Sequence, residues 1–465
     1  MLPLLFLAAA DEIVVTGRAL PQPAGAAAYG AVTIDGARLR EDPSGRLESA
    51  LREVAGFQQF RRRDSRAANP TSQGASLRAI GGNAASRALV LLDGVPVTDP
   101  FAGWIPWPAL AADRLSAARI TRGGGAGAFG SGALAGTIEL FSNGAESSGA
   151  DASLAYGSRD SMAASAGVAN ALGGGFASLS GRYDGGDGYE LVPARQRGPV
   201  DVPTRYEQWS ANGRAAFPVG DATELQTTAR GFGDDRRRGL VGGDIASDGA
   251  DASVRLVHRG NWAWEALGYV QARRFATQIL AVNAARTVAT PTLDQYNTPS
   301  TGLGGKFELR PPVGGDHDVQ IGADVRRADG ETRERFRFQT GQYTRLRQAG
   351  GESLTTGVYA EDSWRPSEAV TLTGGVRLDR WTLTGGHLTE SDIATGASVT
   401  ALAFANRSGW EPTARGGLVW AATPALKARA VLSGTKSSPA STPVSRSGAS
   451  TGFAAVASLP ARNGR

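Results

Sequence analysis

A period-two alternation of apolar and polar residues recurs between residues 149 and 432, and it constrains the fold more than any other feature. In residues 370–379 every even position is apolar or glycine, and the odd positions are mostly Thr, Arg and Asp; residues 252–256, 262–272 and 413–420 alternate similarly. This period is typical of β-strands with one apolar and one polar face. The segments reach about ten residues, enough for a tilted strand to cross a bilayer, whereas strands of soluble proteins usually have about 5–6. The sequence therefore predicts membrane-length strands.

The connections between these segments sort by length. Short turns are predicted at residues 171–175, 218–221, 260, 311–315, 365–369 and 422–424. Long polar loops alternate with them at residues 185–204, 233–250, 276–301, 329–351 and 385–411. Outer-membrane barrels have short periplasmic turns and long outer loops, whereas a soluble sandwich has no reason to sort its loops. Tryptophans near the predicted strand ends fit an interfacial girdle, or alternatively a sandwich core: Trp209, Trp262, Trp364, Trp381 and Trp420.

Two short segments precede the first folded region. Residues 1–10 are apolar and end in three alanines, which predicts the remnant of a secretory signal peptide, with a plain hydrophobic N-terminus as the alternative. Residues 11–28 begin with an isolated β-branched run, Glu12-Ile13-Val14-Val15-Thr16, followed by a loose Ala/Pro/Gly stretch. An isolated strand can add to the sheet edge of another protein, although an ordinary first strand of the fold explains the run equally well.

Residues 29–148 alternate between short helical and extended patterns, which predicts a mixed α+β domain. A helix is expected at residues 47–54, with Gly56 as its stop. The apolar strand 88–92 runs into an Asp-Gly turn. A last strand at 137–141 follows the glycine-dense stretch 123–136.

Four motifs in this order resemble those of the TonB-dependent receptors of the outer membrane. Residues 12–16 resemble the TonB box, 51–57 the helix-to-glycine segment of the plug domain, and 89–96 its central strand and turn. Arg122-Gly123 with residues 129–138 resembles the last plug motif. The plug positions that the resemblance marks are Arg78, Gly81, Asp93, Gly94, Arg122, Gly123, Gly130 and Gly136.

Three positions depart from the family pattern. Ser116 and Arg119 stand where acidic residues are usual before the Arg-Gly pair, and Gly124 replaces the proline usual after it. These departures put the usual polar contacts between plug and barrel in question.

The resemblance implies an N-terminal mixed α+β plug inside an all-β membrane barrel. Transporters of this kind have 22 strands, and residues 149–432 account for about 13, so we expect an incomplete barrel. Residues 433–465 contain no Asp or Glu and a single aromatic residue, Phe453. We expect this tail to be the out-of-frame end of a longer coding sequence, or else a flexible linker.

The resemblance places ligand contacts in loops at the apex of the plug. Cations suit an anionic iron chelate, and aromatic rings suit a flat or sugar-like face. The candidates are Arg61, Arg62, Arg63, Phe101, Trp104 and Trp107. The tryptophans have an equally good alternative role in filling the structure. Residues 125–130 match G-x-G-x-x-G, but no helix of ten residues follows, so a dinucleotide site is not predicted.

Composition excludes several other functions. The net charge of +5 over 465 residues is too dilute for the basic face that nucleic acids require. The absence of Cys removes thiolate metal sites and cysteine nucleophiles. Three His residues lie far apart, and the chain has no enzyme motif, so we expect neither catalysis nor a cofactor.

The resemblance implies a receptor in the Gram-negative outer membrane, surrounded by lipid, with its plug facing the periplasm. It would import a scarce, unidentified small-molecule ligand, such as a siderophore-type iron chelate, a vitamin or an oligosaccharide. TonB would supply energy by pairing with residues 12–16. The alternatives are a truncated receptor that does not transport, and a soluble β-rich carbohydrate-binding protein.

Overall fold

The structure is a computed structural model. It describes residues 15–61, 64–77, 84–123, 127–130, 132–144, 148–423, 426–436 and 449–458. It consists of an N-terminal plug domain, which ends after Ser142, and a large sheet from Gly149 onward, here called the wall. In this part of the chain no helix has both the length and the apolar character needed to cross a bilayer.

The plug domain is built on a five-stranded sheet with two short helices, α1 (Gly36–Arg40) and α2 (Leu47–Ala50). Its strands are β1 (Val32–Asp35), β2 (Gln58–Gln59), β3 (Ala75–Ser76), β4 (Ala88–Leu92), β5 (Val95–Pro96), β6 (Leu115–Arg122) and β7 (Gly136–Ser142). The main sheet has the order β1-β6-β7-β4-β5, with β4 and β7 parallel, while β2 pairs with β3 separately.

One face of the plug sheet forms the hydrophobic core of the domain. Ala118 and Ile120 of β6 and Ile138 and Leu140 of β7 are fully buried there, under α1 and α2. Because neighbouring residues of a strand point to opposite faces, the residues between them line the second face. That second face is turned toward the wall.

The Asp-Gly turn predicted after the apolar strand is present between β4 and β5. Asp93 has φ 47° and Gly94 has φ 80°, and positive values at both positions are what a type I′ hairpin turn requires. The Asp93 carboxylate accepts hydrogen bonds from the backbone N–H and hydroxyl of Ser142, at 3.0 and 2.6 Å. The helix predicted at 47–54 is shorter than expected, because α2 gives way to a 3₁₀ turn at Leu51–Glu53.

The wall is an antiparallel sheet of long strands. They are β8 (Gly149–Gly157), β9 (Ser161–Leu172), β10 (Gly175–Gly186), β11 (Tyr206–Gly220), β12 (Thr223–Arg237), β13 (Asp244–His258), β14 (Ala263–Val282), β15 (Ala289–Arg310), β16 (His317–Gln339), β17 (Gln342–Ser367), β18 (Val370–Asp392), β19 (Ser398–Ala403), β20 (Arg407–Thr423), β21 (Leu426–Lys436) and β22 (Ala449–Ser458). Each pairs with the next in sequence, except that β18 pairs with β17, β19 and β20.

The predicted count of about 13 strands matches the 13 that run from β8 to β21 along this path. The wall also continues past residue 432, where the alternation predicted that strands end, because β21 runs to Lys436 and pairs with β22. Within the described residues β8 and β22 each have a neighbour on one side alone.

The predicted short turns within the described residues are present, but most of the predicted long loops are not loops. The turn predicted at 422–424 lies partly outside the described residues. The strands from β14 to β18 are 20 to 26 residues long, roughly twice the predicted length. The expected loop at residues 329–351 is the end of the β16–β17 hairpin, with Thr340-Gly341 as its turn. Strands that project beyond a membrane have polar surroundings on both faces, so the backbone ladder continues where the alternation of side chains disappears.

The apolar residues of the alternating strands face outward and the charged residues face inward. On β18, Val376 is 61% exposed, whereas Arg377 and Asp379 are each 3% exposed. A soluble sandwich would bury its valines and expose its charges, because burying charge is costly. The observed arrangement fits lipid outside and a polar interior, as in outer-membrane barrels.

Tryptophans mark two levels on the outer surface. Trp410 and Trp420 are both exposed on β20, ten residues apart. At about 3.3 Å per residue and a tilt of about 40°, this separation spans roughly 25 Å, the height of the apolar band of such barrels. Four of the five predicted girdle residues are exposed: Trp209, Trp262, Trp364 and Trp420. For Trp381 the prediction is wrong, because it is buried on the inward side against Gly409.

Candidate functional site

The plug domain lies against the inward face of the wall and is held there through its backbone. Wall side chains donate hydrogen bonds to plug carbonyls in five pairs: Arg236 to Ala68, Arg255 to Asp93, Gln271 to Pro96, Arg326 to Phe129, and Arg377 to Gly127. The donors come from strands between β12 and β18, so the wall curves around the plug. Because carbonyls accept these five bonds, they do not require particular plug side chains. Plug side chains add further contacts to the wall, such as Arg114 with Asp151 at 2.8 Å and Arg46 with Gln208 at 3.0 Å.

These bonds answer the question raised by Ser116 and Arg119. Arg119 pairs with Glu139 inside the plug sheet at 2.6 Å, and its guanidinium lies 4.9 Å from the centre of the Phe141 ring. The Ser116 hydroxyl donates to carbonyls of β7. Neither residue makes an acidic contact to the wall. The neighbouring Asp113 lies 3.6 Å from Arg182 of the wall and Arg114 pairs with Asp151 at 2.8 Å, so charged plug-wall contacts are present at other positions.

Arg377 is at the centre of one such contact. It forms ion pairs with Asp324 at 2.7 Å and Asp379 at 2.6 Å, and its side chain is 1% exposed. Its Nη1 donates to the carbonyl of Gly127 at 3.2 Å. A Cβ added at Gly130 would lie 2.6 Å from the Arg377 Cζ. Gly130, one of the family-marked plug positions, is therefore set by the close approach of plug and wall.

Other marked plug positions have structural roles as well. Gly136 has φ 128°, and an added Cβ would collide with the carbonyl of Thr121. Arg122 and Gly123 end β6, where Gly123 has φ 131°. Arg78 and Gly81 lie outside the described residues.

Asp99 anchors the apical loop of the plug to the wall. Its carboxylate accepts hydrogen bonds from the N–H groups of Phe101 at 3.0 Å and Ala102 at 2.7 Å, and from the Ser300 hydroxyl at 3.1 Å. Burial raises the pKa of Asp99 in spite of these bonds. The loop that contains Phe101 and Trp104 is therefore fixed to β15.

Residues 15–27, here called the strap, cross the short-turn end of the wall. The carboxylate of Glu224 accepts the N–H groups of Thr16 at 3.1 Å and Gly17 at 2.7 Å. The Glu224 side chain is fully buried and forms an ion pair with Arg259 at 2.9 Å. These contacts bind the strap through its main chain, as the wall binds the plug.

Further side-chain-to-backbone bonds follow along the strap. Its N–H groups donate to Glu265 from Leu20 and to Ser363 from Gly25. Its carbonyls accept bonds in five further pairs: Arg214 to Gly17, Gln226 to Arg18, Arg259 to Arg18, Arg310 to Pro21, and Arg429 to Ala27. The strap therefore passes from β11 across to β21, over the row of short turns.

The predicted TonB box is only partly described. Val15 is buried against Phe176 and Ala216 of the wall, and the Thr16 hydroxyl accepts a bond from Arg259 at 3.1 Å. Glu12, Ile13 and Val14 lie outside the described residues. The described end of the box is thus held on the wall, at the start of the strap.

The predicted ligand residues do not form one cluster. Trp107 is buried in the plug core, with its Nε1 donating to the Gln73 carbonyl at 3.0 Å, and Trp104 is buried against Phe275 of the wall. Phe101 is half-buried against Gly330. Arg61 is exposed beside Phe60, and Arg62 and Arg63 lie outside the described residues. Both tryptophans therefore have the filling role that was the alternative prediction.

A polar cavity on the long-loop side contains residues that the sequence analysis did not select as ligand contacts. It has a volume of about 640 Å³, and its lining includes Tyr206, Arg236, Thr277 and Tyr296. Arg236 is buried and paired with Asp234, whereas Asp235, which alternates with them on β12, is exposed and also lines the cavity. The alternation of residues along a strand predicts which face each side chain occupies, but the sequence cannot show that residues from five strands meet at one cavity.

The plug reaches this cavity through residues 64–68. Asp64 accepts bonds from the Arg66 guanidinium at 3.0 and 2.6 Å, and the guanidinium lies 5.7 Å from the centre of the Tyr206 ring. Burial raises the pKa of Asp64, but the bonds and charge of Arg66 outweigh it and lower the pKa to about 2. Both groups are therefore charged at neutral pH.

The histidines do not form a metal site in the part of the chain that the structure describes, where no cluster of three metal-ligating residues occurs. His258 stacks on Trp264 and His317 on Trp364 on the outer surface, with ring centres 5.7 and 5.6 Å apart. His387 is paired with Glu331 at 2.9 Å.

Family models match most of the chain. The TonB-dependent Receptor Plug Domain matches residues 26–137, and the TonB dependent receptor-like β-barrel matches residues 186–460. A comparison with curated proteins finds no match.

Solved structures of similar fold include three transporters or receptors. The copper transporter OprC is 18% identical, with a TM-score of 0.69, and the match covers 88% of this chain and 65% of that one. The ferric-catecholate import receptor Fiu of E. coli K12 is 16% identical, with a TM-score of 0.68 and coverage of 91% and 69%. The ferric yersiniabactin uptake receptor FyuA of Yersinia pestis is 12% identical, with a TM-score of 0.67 and coverage of 88% and 65%.

The chain spans about two thirds of the length of these structures. The two family models match residues 26–137 and 186–460, and the barrel model alone covers more than half of the sequence. The chain therefore belongs to the family of TonB-dependent receptors.

Proposed function

We propose that the chain is an outer-membrane receptor that imports a scarce ligand by energised rearrangement of its plug. The family consists of receptors and transporters rather than enzymes, and its members work with TonB. The observation that carries the proposal is the position of the plug on the inward face of the wall, with the strap across the short-turn end. A plug packed on the outer face of the wall could not open or close a path along the inward face.

Lipid around the wall and a periplasmic position of the strap follow from the same geometry. Outward valines between two levels of tryptophan suit a bilayer, and short turns are periplasmic in barrels of this kind. The outer membrane has no ATP and no ion gradient of its own, so energy must come from the inner membrane. The soluble carbohydrate-binding alternative is disfavoured, because its apolar residues would face inward.

In the proposed cycle, a ligand binds in the cavity on the long-loop side and the strap is released below. Residues 12–16 then add as a strand to TonB, a pairing that requires main-chain groups and little side-chain identity. Val15 and Thr16 are held on the wall in the structure. Their release would make the TonB box available only after capture of the ligand.

The ligand class that we favour is an organic iron chelate. The structural neighbours are named for ferric-catecholate import, ferric yersiniabactin uptake and copper transport. A bare copper ion prefers sulfur and imidazole ligands, but this chain has no Cys and two Met, and His258 and His317 lie on the outer surface. Tyr206 and Tyr296 of the cavity suit a chelate with aromatic rings. The cavity has three arginines beside four carboxylates, so its charge does not select an anionic ligand over a neutral or cationic one.

Substitution of Val14 by proline tests the mechanism. Proline removes a backbone donor from the pairing strand, so energised uptake of a ferric chelate should be abolished while its binding to the cell surface is unchanged. Val14→Thr keeps a strand former and serves as the control, with uptake close to that of the parent chain. Normal uptake by the proline variant would refute the proposed TonB contact.

The alternative of a receptor fragment that does not transport has one supporting observation. Within the described residues the wall has two strands, β8 and β22, with a neighbour on one side alone. Heat-modifiable gel mobility of the outer-membrane fraction distinguishes the two. A closed, folded barrel migrates differently before and after boiling, and an open sheet shows no such shift.

A further inference from the structure

Three of the long wall strands have glycines at one common level. Gly330 of β16 pairs with Gly351 of β17, and Gly351 lies opposite a bulge formed by Gly385 and Gly386 of β18. Glycine inside a strand weakens it and often marks a bend, and a bulge bends the strand that contains it. These residues and Gly350, here called the glycine line, form the level at which β16 to β18 bend most easily.

The interruption continues into β13, β14 and β15. The β14–β15 ladder shifts register between Phe275 and Thr277, and the β15–β16 ladder shifts between Gln295 and Asn297. The pairing of β13 with β14 ends close to the same level, with Ile245 opposite Thr277. The wall therefore has one line of weakness that crosses its longest strands.

Beyond this line the strands form a unit, here called the flap, of residues 277–297, 331–349 and 387–403. Ion pairs join its strands to one another: Arg335 with Asp294 at 3.2 Å, Arg347 with Glu334 at 2.7 Å, Arg345 with Asp392, and His387 with Glu331 at 2.9 Å. In the part of the chain that the structure describes, no ion pair joins the flap to the strand segments on the other side of the line. The flap is thus stiff within itself and bends against the wall at the line.

The apical loop of the plug lies against this line on the inward face. Trp104 packs on Phe275 of β14, with ring centres 5.9 Å apart. Phe101 lies at Gly330, where an added Cβ would be 2.5 Å from the Phe101 Cβ. A side chain in contact with the bend opposes movement of the flap toward the plug, so Phe101 limits how far the flap bends inward.

One corner of the flap is tied to the loop between β10 and β11. Arg286, in the turn between β14 and β15, donates to the Asp201 carboxylate of that loop at 2.7 Å. The Arg286 carbonyl accepts the N–H of Val200 at 3.3 Å. The flap is therefore held away from the glycine line as well, at this single corner.

The cavity of about 640 Å³ is bordered by the flap and by strands that do not belong to it. Thr277 and Tyr296 are flap residues, whereas Tyr206 and Arg236 belong to β11 and β12. We propose that the flap turns as a rigid unit about the glycine line, and that Phe101 is a positioning residue that sets its angle and thereby the width of this cavity. Phe101 acts from outside, since it is not among the described residues that line the cavity. The proposal rests on the proposed function only in that this cavity is assigned to the ligand.

Spin labels test the proposal, because the chain has no Cys of its own. Ser158→Cys, in the turn between β8 and β9, is the reference site, and Gln342→Cys marks the tip of the flap. Thr356→Cys, on β17 below the line, is the matched control, and Ala401→Cys on β19 gives a distance within the flap. The pairs 158–342, 158–356 and 342–401 are measured by double electron–electron resonance on the purified full chain in detergent micelles.

The expected shift follows from the length of the flap. At about 3.3 Å per residue, Gln342 lies roughly 26 Å beyond Gly350, so a turn of about 10° moves it by about 5 Å. We expect Phe101→Ala to shift the 158–342 distance by at least about 5 Å, while the 158–356 and 342–401 distances are unchanged. Phe101→Leu, which keeps part of the bulk, should shift the first distance less and in the same direction. Phe60→Ala, at an exposed phenylalanine of the plug, should change none of the three.

Three results would overturn the proposal: an unchanged 158–342 distance in Phe101→Ala, a changed 342–401 distance, or an equal shift of the 158–356 distance. Heat-modifiable mobility shows whether each variant is folded. If Phe101→Ala does not fold, Phe101→Leu and Asp201→Asn are judged instead. Asp201→Asn frees the corner and should broaden the 158–342 distribution alone, and an unchanged width would count against the flap. The labels require neither ligand nor TonB, so a failure here is separate from a failure of the uptake test.

Discussion

Gly130 shows how residue identity is fixed by the close approach of a buried side chain to the backbone, here the Arg377 guanidinium. Its φ of 67° lies in the left-handed region, where residues other than glycine are strained by roughly 1–2 kcal/mol. The Arg377 guanidinium that faces it is held between Asp324 and Asp379. The arginine has no free direction in which to move, so strain and collision add.

We predict that Gly130→Ala lowers the free energy of unfolding of the plug by about 2–4 kcal/mol, from backbone strain and the disturbed buried ion pairs. Gly132→Ala is the control, because Gly132 also has a positive φ, of 96°, but its nearest atom would be the Leu89 Cδ1 at 3.6 Å. It should lose only about 1–2 kcal/mol. Urea titration read by limited proteolysis of the plug measures both, and equal losses would contradict the role assigned to Arg377.

Asp64 gives the plug a predictable response to acid. Its pKa of about 2 in the folded chain lies below the ordinary 3.8, so its pairing with Arg66 stabilises the loop above pH 3.8 and is lost as pH falls through about 2. The difference corresponds to roughly 2 kcal/mol at most, and less after screening, since the side chain is 32% exposed.

Hydrogen exchange of the Ala67 and Ala68 amides, which both donate to the Asp64 carbonyl, measures this loop. After correction for intrinsic rates, protection should be constant from pH 7 to 5 and fall between pH 4 and 2. Asp64→Asn should have lower protection that does not vary with pH over this range. A parent chain with the flat profile of the variant would rule out the ion pair as the cause.

At the scale of elements, the sequence predicts what alternation and turn chemistry control. The inward and outward faces of β13, β14, β18 and β20 and the β4–β5 turn follow from period and from an Asp-Gly pair. The length of β14 to β18 cannot be predicted in this way, because strand segments outside the bilayer are polar on both faces and their sequences resemble those of loops. The strand at Ala449–Ser458 is not predicted for a related reason, because its Ala, Ser and Thr residues show little alternation between apolar and polar side chains.

The residues of the candidate site can likewise be predicted from the sequence only in part. The plug motifs locate Asp93, Gly130 and Gly136 from the sequence alone, and the structure explains them by turn geometry and close approach. The partners of the strap could not be predicted, because Glu224 and Arg259 bind its main chain, which leaves no complementary pattern in the strap sequence. For Trp104 and Trp107 the residue type misleads, because aromatic side chains that would suit a ligand are instead buried in packing contacts.

For the whole molecule, the decisive property is that the wall is apolar outside and charged inside. Each wall charge that would be costly in lipid points to the plug, to the strap or to another charge. Among the charged residues that face outward, Arg380 is informative, because its guanidinium lies 5.3 Å from the centre of the Trp410 ring. A cation is thus accommodated at the level of the girdle, and the depth of a charge should decide its cost.

Two substitutions on β18 test this inference about the membrane. Val376 pairs with Ala414, between the two tryptophan levels, and Val370 pairs with Trp420 at one of them. Arginine at position 376 should destabilise the folded protein in lipid vesicles by about 2–4 kcal/mol, and at position 370 by about 0–1 kcal/mol, because the cost falls with distance from the midplane. The temperature at which heat-modifiable mobility is lost measures both, with Val376→Leu as the control for packing. On a soluble sheet both exposed positions would accept arginine within about 0.5 kcal/mol, so equal and small effects would show that lipid does not surround the wall.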